Sequence, residues 1–499
     1  MAELKLFRIH PEDNVAVAVS PIKKGETVTL GGQAYTPLGD IPAGHKMAIQ
    51  PIKKGEDVVK YGFPIGTAKE DVEPGTWMHT HNVKSKLGDL LDYKYEPAKA
   101  HHTEVKLDKN DTFDGYLRED GRVGIRNEVW IIPTVGCVNA IARTIESQSQ
   151  SFQTDHIDGI FAYSHPHGCS QLDGDQERTQ KILSGLVHSP NAGAVLVLSL
   201  GCENNQVALM KQAIGDYNPE RVKFLVCQDV EDEIAEGVKL VKELCAYADK
   251  FTRTPQPLGK LTIGLKCGGS DGFSGITANP LVGSIANKVT AAGGTAILTE
   301  VPEMFGAETL LMNRCKDEAT FQKTVNLING FKEYFMRYGE KINENPSPGN
   351  KEGGITTLED KSLGCVQKGG TAPVMDVLSY GDRAHEQGLL LLQGPGNDLV
   401  AANALAAAGC DMVLFTTGRG TPFACPVPTV KIASNSRLAA HKKNWIDFNA
   451  GQLIEGRSMD AVSEDFLQYI LDVASGRKQA KSEKLDKHEL AIFKDGVTL

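Results

Sequence analysis

Val129–Gln148 reads VWIIPTVGCVNAIARTIESQ. An apolar run suited to burial on both faces of a sheet is followed by a polar Gly-Cys pair and then by a helical stretch. The order recurs three times. GIFAYS from Gly159 precedes DQERTQKILSGLV, AGAVLVLSL from Ala192 precedes NNQVALMKQAI, and VKFLVCQ from Val222 precedes an amphipathic stretch ending near Lys250. This alternation predicts an α/β domain with a mostly parallel sheet over residues 115–255. A second α/β domain is expected over 256–499. It opens with KLTIGLKCGGSDGFSG from Lys260 and AILTEVPEMFGAE from Ala296, passes through a helix near 318–338, and resumes with LLLLQGPGND, MVLFTTGRG and TVKIAS. Its charged tail, from about Ser475, is expected to be peripheral.

Toward the N-terminus the texture changes. AVAVSPIKKGETVTL from Ala16 and MAIQPIKKGEDVVKY from Met47 share PIKKGE, and DIPAGHKMAI from Asp40 is echoed by DVEPGTWMHTHN from Asp71. Two similar β units are implied, forming a small all-β domain over 1–95. The polar, aperiodic stretch that follows reads as a linker, 96–114.

Composition narrows the function. The 499 residues carry 53 Lys and Arg against 63 Asp and Glu, with no long basic stripe, which argues against nucleic acid as a partner. The opening MAELKLFRIHPED is too charged for a signal peptide and the apolar runs are too short to span a membrane, so a cytoplasmic protein is expected. Ten cysteines without a CxxC pair give no support to a zinc ribbon or a thioredoxin-type site. Five of them, Cys137, Cys169, Cys202, Cys267 and Cys365, sit beside glycine in a short polar stretch.

In open parallel sheets ligands bind beyond the carboxyl ends of the strands. Polar residues crowd there: Thr134 and Cys137; His165, His167 and Cys169; Cys202, Glu203 and Asn204; Lys266, Cys267, Ser270 and Asp271; Glu300 and Glu303; Asn397 and Asp398; Thr416, Thr417 and Arg419. The load points to an active site. MHTHN spaces His79 and His81 to share one face of a strand, as a cation chelate or as a solvated pair. SHPHGC repeats that spacing and adds Cys169 as a third ligand or a buried thiol. The turn at Gly268, Gly269, Ser270 and Asp271 matches neither a dinucleotide fingerprint nor a P-loop, and suits a carboxylate better than a nucleotide. Glu300 and Glu303 read as metal ligands, general bases or a helix start.

Longer strings carry a family resemblance: GHKMAI from Gly44, VVKYGFPIG from Val58, MHTHN, GIRNEVWIIPTVGCVN from Gly124, LGCENN from Leu200, GLKCGGSDGFSGITANPLVG from Gly264, LTEVPEMFGAE from Leu298, ENPSPGNKEGGITTLEDKSLGC from Glu344 and LFTTGRGTPF from Leu414. Over nearly its whole length the chain resembles the altronate/galactarate dehydratase family, with sulfolactate sulfo-lyases as further relatives. The resemblance implies an N-terminal SAF-type β domain, a larger α/β catalytic part, and a divalent metal, Fe²⁺ or Mn²⁺, without an iron–sulfur cluster. It implies a hydro-lyase of hexuronate catabolism that takes D-altronate to 2-dehydro-3-deoxy-D-gluconate, or else another sugar acid such as galactarate. SHPHGCS departs from the family's YGCS form, so the resemblance carries His165 and His167 across more weakly than Cys169.

The expected metal ligands are His79, His81, Cys169 and Cys365, with His45 behind them. Lys266 or Glu303 is the expected base, with His81 a further catalytic candidate. Gly268, Gly269, Ser270, Asp271, Asn397, Asp398, Thr417 and Arg419 are expected to hold the substrate. The β domain is expected to close over the strand ends as a removable lid, leaving the remainder able to fold without it. The partner is a small sugar acid, with no nucleic acid or membrane and a homodimer as a possible assembly. An iron–sulfur hydro-lyase using three Gly-flanked cysteines, a nicotinamide dehydrogenase and a non-catalytic sugar-acid binder are the rivals.

Overall fold

The structure is a computed structural model and describes residues 5–88, 90–97, 105, 107, 111–485 and 490–499; most of the expected linker lies outside them. The N-terminal region is all-β and antiparallel, as expected. Leu6–Phe7, Val15–Ala18, Lys46–Ala48 and Trp77–Met78 form one sheet, Asp57–Lys60, Phe63–Ala68 and Val83–Lys84 another, and Val28–Leu30 pairs with Gln33–Tyr35. The two PIKKGE copies build the same turn. Asp40 accepts Lys24 N at 2.9 Å and pairs with Lys23 Nζ at 2.8 Å; Asp71 accepts Lys54 N at 2.9 Å and pairs with Lys53 Nζ at 3.2 Å. These exposed pairs add little stability but fix the chain's path.

Two parallel sheets follow. The first has the order Gly159–Ala162, Glu128–Pro133, Ala192–Ser199, Val222–Val226, and all eight residues of Ala192–Ser199 are buried. The second has seven parallel strands in the order Val374–Leu378, Gly388–Leu392, Thr295–Leu298, Thr262–Cys267, Met412–Thr417, Thr429–Ala433, Phe448–Asn449. The helix expected near 318–338 is Glu318–Arg337. Among the described residues no helix is long and apolar enough to cross a membrane.

Several features depart from the sequence reading. Thr112–Leu117, which begins inside the expected linker, is the middle strand of a small antiparallel sheet with Val123–Gly124 and Arg253–Pro257, so the chain is paired across the 255/256 boundary. The tail is not peripheral: Arg126 grips Glu483 through Nε at 2.7 Å and Nη2 at 2.9 Å, both side chains buried, and Leu490 and Ile492 enter the core. Nor is the β domain a separable lid. Val15, Val17, Ile65 and Met78 share one continuous core with Ile263, Leu265 and Phe305. Gly44 meets the loop at Gly272 so closely that a Cβ on Gly272 would lie 1.9 Å from Gly44 O. Lys46 and Lys60 converge on Asp360 at 2.8 and 3.0 Å, all three side chains at most 2% exposed. Removing the β domain would strip apolar cover and leave that carboxylate buried without its cations.

Candidate functional site

The central strand Thr262–Cys267 delivers Lys266 and Cys267 to its carboxyl end. Beyond Thr295–Leu298 the chain turns through Glu300, a non-glycine residue at φ 72°, a conformation costing about 1–2 kcal/mol. Hydrogen bonds from Val301 N to Gly394 O (3.0 Å) and from Glu303 N to Glu300 O (2.8 Å) hold it there. Asn397 caps the helix Asp398–Ala407 by accepting Val400 N, which fixes Asp398 in the first turn. From across the site, helix Leu358–Cys365, capped by Thr357, brings Lys361 and Cys365, and the turn after it brings Lys368.

These residues form one buried network. Lys266 Nζ donates to Glu300 Oε1 at 2.5 Å, Asp398 Oδ1 at 2.9 Å and Cys267 O at 2.6 Å. Lys361 pairs with Glu303 at 2.9 Å, and Lys368 Nζ lies 2.9 Å from Cys267 Sγ and 3.4 Å from Glu300. Cys267 Sγ and Cys365 Sγ each reach Glu303 Oε2 at 3.1 Å and stand 3.4 Å apart. Burial alone would lower Lys266, but Glu300 and Asp398 outweigh it and hold the ammonium well above its ordinary value. Burial also works against the Glu303 carboxylate, yet Lys361, Lys266 and Lys368 keep it ionised far below the usual range. Glu300 is pushed the other way, by burial and by Glu303. The Cys365 thiol is pushed up by its contact with Cys267 and by burial.

Among the described residues, Cys267, Glu303 and Cys365 are the one group of three His, Cys, Asp or Glu donors whose ligand atoms all lie within 4.8 Å of one another. The donor set suits a divalent cation. Lys266, Lys361 and Lys368 balance Glu300, Glu303 and Asp398, and a dication that displaced two thiol protons would leave that balance intact.

The glycine-rich turn borders this network. A Cβ on Gly268 would lie 2.6 Å from Asp398 Oδ2, and Gly269 adopts φ 63°. Ser270 Oγ is buried with no hydrogen-bond partner among the described residues, an orphan that a ligand would satisfy. Asp271 is engaged otherwise: its carboxylate accepts Phe273 N, Ser274 N and Oγ, Ser434 Oγ and Asn435 Nδ2, so it braces the loop. Thr417 Oγ1 accepts Gly420 N, and Arg419 pairs at the surface with Glu352 at 3.1 Å.

The four expected metal ligands are not gathered. MHTHN falls in a turn, because Asn82 Oδ1 accepts His79 N and Val83 N closes onto His79 O; the strand-face premise therefore fails. His79 stacks on Trp77 with centroids 5.7 Å apart, its Nδ1 3.3 Å from Thr356 Oγ1, while exposed His81 tilts against the same indole at 5.1 Å. Burial holds His79 down to about 4. His45 is spent on Glu352 O and Trp77 Nε1, and His165 on Pro133 O and His167 N. Cys169 is exposed at the end of the other sheet. Of the expected set, Cys365 enters the thiol–carboxylate cluster with the expected Lys266 and Glu303. Lys361 and Lys368 lie outside the sequence reading; Lys361 sits on a charged eight-residue helix that is buried along its whole length, and Lys368 on the short turn after it.

Comparison with known proteins agrees with this architecture. Residues 4–86 match the family described as Altronate/galactarate dehydratase SAF domain, 115–249 match D-galactarate dehydratase/Altronate hydrolase, second domain, and 258–498 match D-galactarate/Altronate dehydratase, C-terminal. The chain is 52% identical to Altronate dehydratase of Escherichia coli, covering 99% of this chain and 100% of that protein, and 53% identical to Altronate dehydratase of Bacillus subtilis, covering 99% of each. It is 30% identical to Galactarate dehydratase (L-threo-forming) of Escherichia coli, covering 98% and 96%. Matched over all three of its parts and end to end by these relatives, the chain belongs to the altronate/galactarate dehydratase family.

Proposed function

We propose that the protein is a hydro-lyase that dehydrates D-altronate to 2-dehydro-3-deoxy-D-gluconate. Identity of 52–53% across the whole chain to two altronate dehydratases carries this reading over galactarate, whose dehydratase is 30% identical. The setting is a reducing cytoplasm, which the ten free cysteines support.

The proton on C2 is a poor acid because its removal puts a second negative charge beside the substrate carboxylate. Lys266, held charged and fully buried, is suited to stabilising that charge rather than to accepting the proton, so its expected role as base gives way to that of a fixed cation. Asp398 is the better proton acceptor: one oxygen rests on Lys266 and the side chain is 37% exposed. In this reading Asp398 takes the C2 proton and returns it to the departing C3 hydroxyl, which leaves as water, and the enol ketonises. Ser270 Oγ and the turn at Gly269 hold the substrate carboxylate, with Arg419 at the rim. Cys267, Glu303 and Cys365 would hold a divalent cation, Fe²⁺ or Mn²⁺, whose Lewis acidity favours charge on the substrate carboxylate, and the two thiols lean toward iron. His81 has no step in this scheme.

The test is keto-acid release from a panel of aldonates and aldarates with added Fe²⁺ or Mn²⁺. D-Altronate should give the highest kcat/KM. Turnover of galactarate without altronate would overturn the substrate, and no keto acid from any sugar acid would overturn the reaction.

A further inference from the structure

We propose that the cavity lined by Arg118, Arg122, Arg221 and His188 binds a small hydroxylated oxyanion, a phosphate monoester or a hydroxy acid, at a site separate from the Lys266 network. The proposal stands on the first parallel sheet and does not rest on the altronate reading.

The cavity has a volume of about 310 Å³, within the range of small-molecule sites. It lies at the amino ends of the first sheet. Arg221 immediately precedes the strand Val222–Val226, and the turn 188–191, which contributes His188 and Pro190, runs from the helix Asp173–Val187 into the neighbouring strand Ala192–Ser199. Lys266, by contrast, stands at a carboxyl end in the second sheet. Arg118 and Arg122 come from the hairpin that joins Thr112–Leu117 to Val123–Gly124, which Arg118 N closes by donating to Arg122 O at 2.8 Å.

Two guanidiniums are buried here without a counter-charge. Arg118 donates to Pro190 O at 2.8 Å, Asn127 Oδ1 at 2.8 Å and Arg126 O at 2.9 Å, and Arg221 to Val187 O at 2.9 Å, Ser189 O at 3.0 Å and Ala192 O at 2.8 Å. All six acceptors are neutral, and a guanidinium can donate more bonds than either makes. Among the described residues neither arginine forms an ion pair. The carboxylates that line the cavity, Glu119, Asp120 and Asp216, are exposed, and Asp120 is spent on Arg122, Oδ2 to Nη2 at 2.6 Å. The shortfall shows in both groups. Burial, with Arg221 adding to it, holds Arg118 down to about 9, and burial with Arg122 holds Arg221 down to about 10. Both stay charged at pH 7, and an anion among them would supply what the protein does not.

His188 asks for a hydroxyl. Its Nε2 lies 2.8 Å from Ile214 O, and because a carbonyl only accepts, the proton is on Nε2 and Nδ1 is a bare acceptor with no partner among the described residues. Burial, with Arg383, Arg221 and Arg122 adding to it, holds His188 down to about 4, so the ring is neutral at pH 7. A hydroxyl can donate to that nitrogen where a bare oxyanion cannot. Tyr217, Tyr247 and Phe251 complete the lining and give a carbon skeleton an apolar surface to rest on; Phe251 also carries the Arg118 guanidinium over its ring at 4.9 Å.

The experiment is calorimetric titration of the full-length protein, at constant ionic strength, with glycerol 3-phosphate, L-malate, inorganic phosphate and, as the neutral control, glycerol. Glycerol 3-phosphate or L-malate should bind saturably and more tightly than inorganic phosphate, and glycerol should not bind. Tighter binding of glycerol 3-phosphate assigns the phosphate headgroup, and of L-malate the carboxylate. Arg118→Gln should abolish binding, but Arg118 also holds backbone carbonyls. Arg122→Met is therefore the second variant, since that side chain bonds only to exposed Asp120. It should weaken binding at least about tenfold while keeping the wild-type circular dichroism and the wild-type rate of keto-acid release. Lys266→Met should leave the binding in place. No saturable binding of any of the three anions, binding unchanged in Arg122→Met, binding lost in Lys266→Met, or inorganic phosphate as the tightest ligand would each overturn the proposal.

Discussion

Asp360→Asn isolates the contact that joins the β domain to the catalytic part. The substitution keeps the shape that accepts Thr356 N at 3.0 Å but leaves Lys46 and Lys60 facing one another in the core without a counter-charge. Breaking a buried pair by removing one partner costs about 3–5 kcal/mol. Burial, with the charge of Lys60 adding to it, has already drawn Lys46 down to about 8 against the pull of Asp360, so it is the one that gives way. The sign with pH follows. Without Asp360 the value of Lys46 falls further below 8, so near neutrality the folded variant holds fewer protons than the folded wild type; above about 8 Lys46 is neutral in both, and its share of the penalty is full near neutrality and gone by about pH 9. Urea unfolding followed by far-UV circular dichroism should therefore show a deficit of about 3–5 kcal/mol at pH 7 that narrows by about 1 kcal/mol by pH 9. Replacing Lys46 and Lys60 by Met together with Asp360→Asn should recover most of the loss. A deficit below about 1 kcal/mol at pH 7, or one that grows with pH, would refute the reasoning.

Four further outcomes are expected. Lys266→Met should lower kcat by on the order of 10²–10³ with little change in substrate binding, measured by single turnover and equilibrium titration; a loss confined to binding would remove it as the cation that stabilises the intermediate. Chelation should abolish turnover, and Fe²⁺ or Mn²⁺ should restore it; full activity in metal-free protein counts against the cation site. Asp411, raised to about 8 by burial, binds a proton in the folded chain that the unfolded chain has lost, so this residue erodes stability as pH rises from about 4 through 8; Asp411→Asn should flatten that decline in urea midpoints. Gly269→Val forces a β-branched residue to φ 63° beside Thr417 and Arg419 and should raise KM more than it lowers kcat.

What could be read in the sequence follows from which interactions are local. The strands of the first parallel sheet announce themselves because Glu128–Pro133 and Ala192–Ser199 are buried along their whole length, and each is closed by a polar Gly-Cys turn. Lys266, Glu303 and Asp398 were legible as strand-end residues for the same reason. Arg253–Pro257 was not: RTPQP carries two prolines and reads as a breaker, and it is tolerated as a strand only because it lies at the edge of its sheet. Lys361 was hidden because a helix buried on all sides has no amphipathic stripe, and Lys368 because it lies in the short turn beyond that helix. The His79–His81 spacing misled because Asn82 turns the chain where a strand was assumed. The Lys46–Asp360 contact spans 314 residues, and no local pattern announces it.

The duplicated β unit has an outcome that lies in its broken symmetry. Aligning DIPAGHKM with DVEPGTWM sets Gly44 against Gly75 and Lys46 against Trp77, and the two strands run antiparallel beside one another, pairing Met47 with Trp77 and Lys46 with Met78. Two halves of common design thus present different side chains at one equivalent position: an ammonium that plugs into the helix of the catalytic part, and an indole that His79 and His81 flank. Only one orientation of the pseudo-dyad can dock, since its mirror role would drive an indole into the pocket that Asp360 fills. The repeat supplies the same frame twice over, and the divergence of Lys46 from Trp77 gives that frame a front and a back.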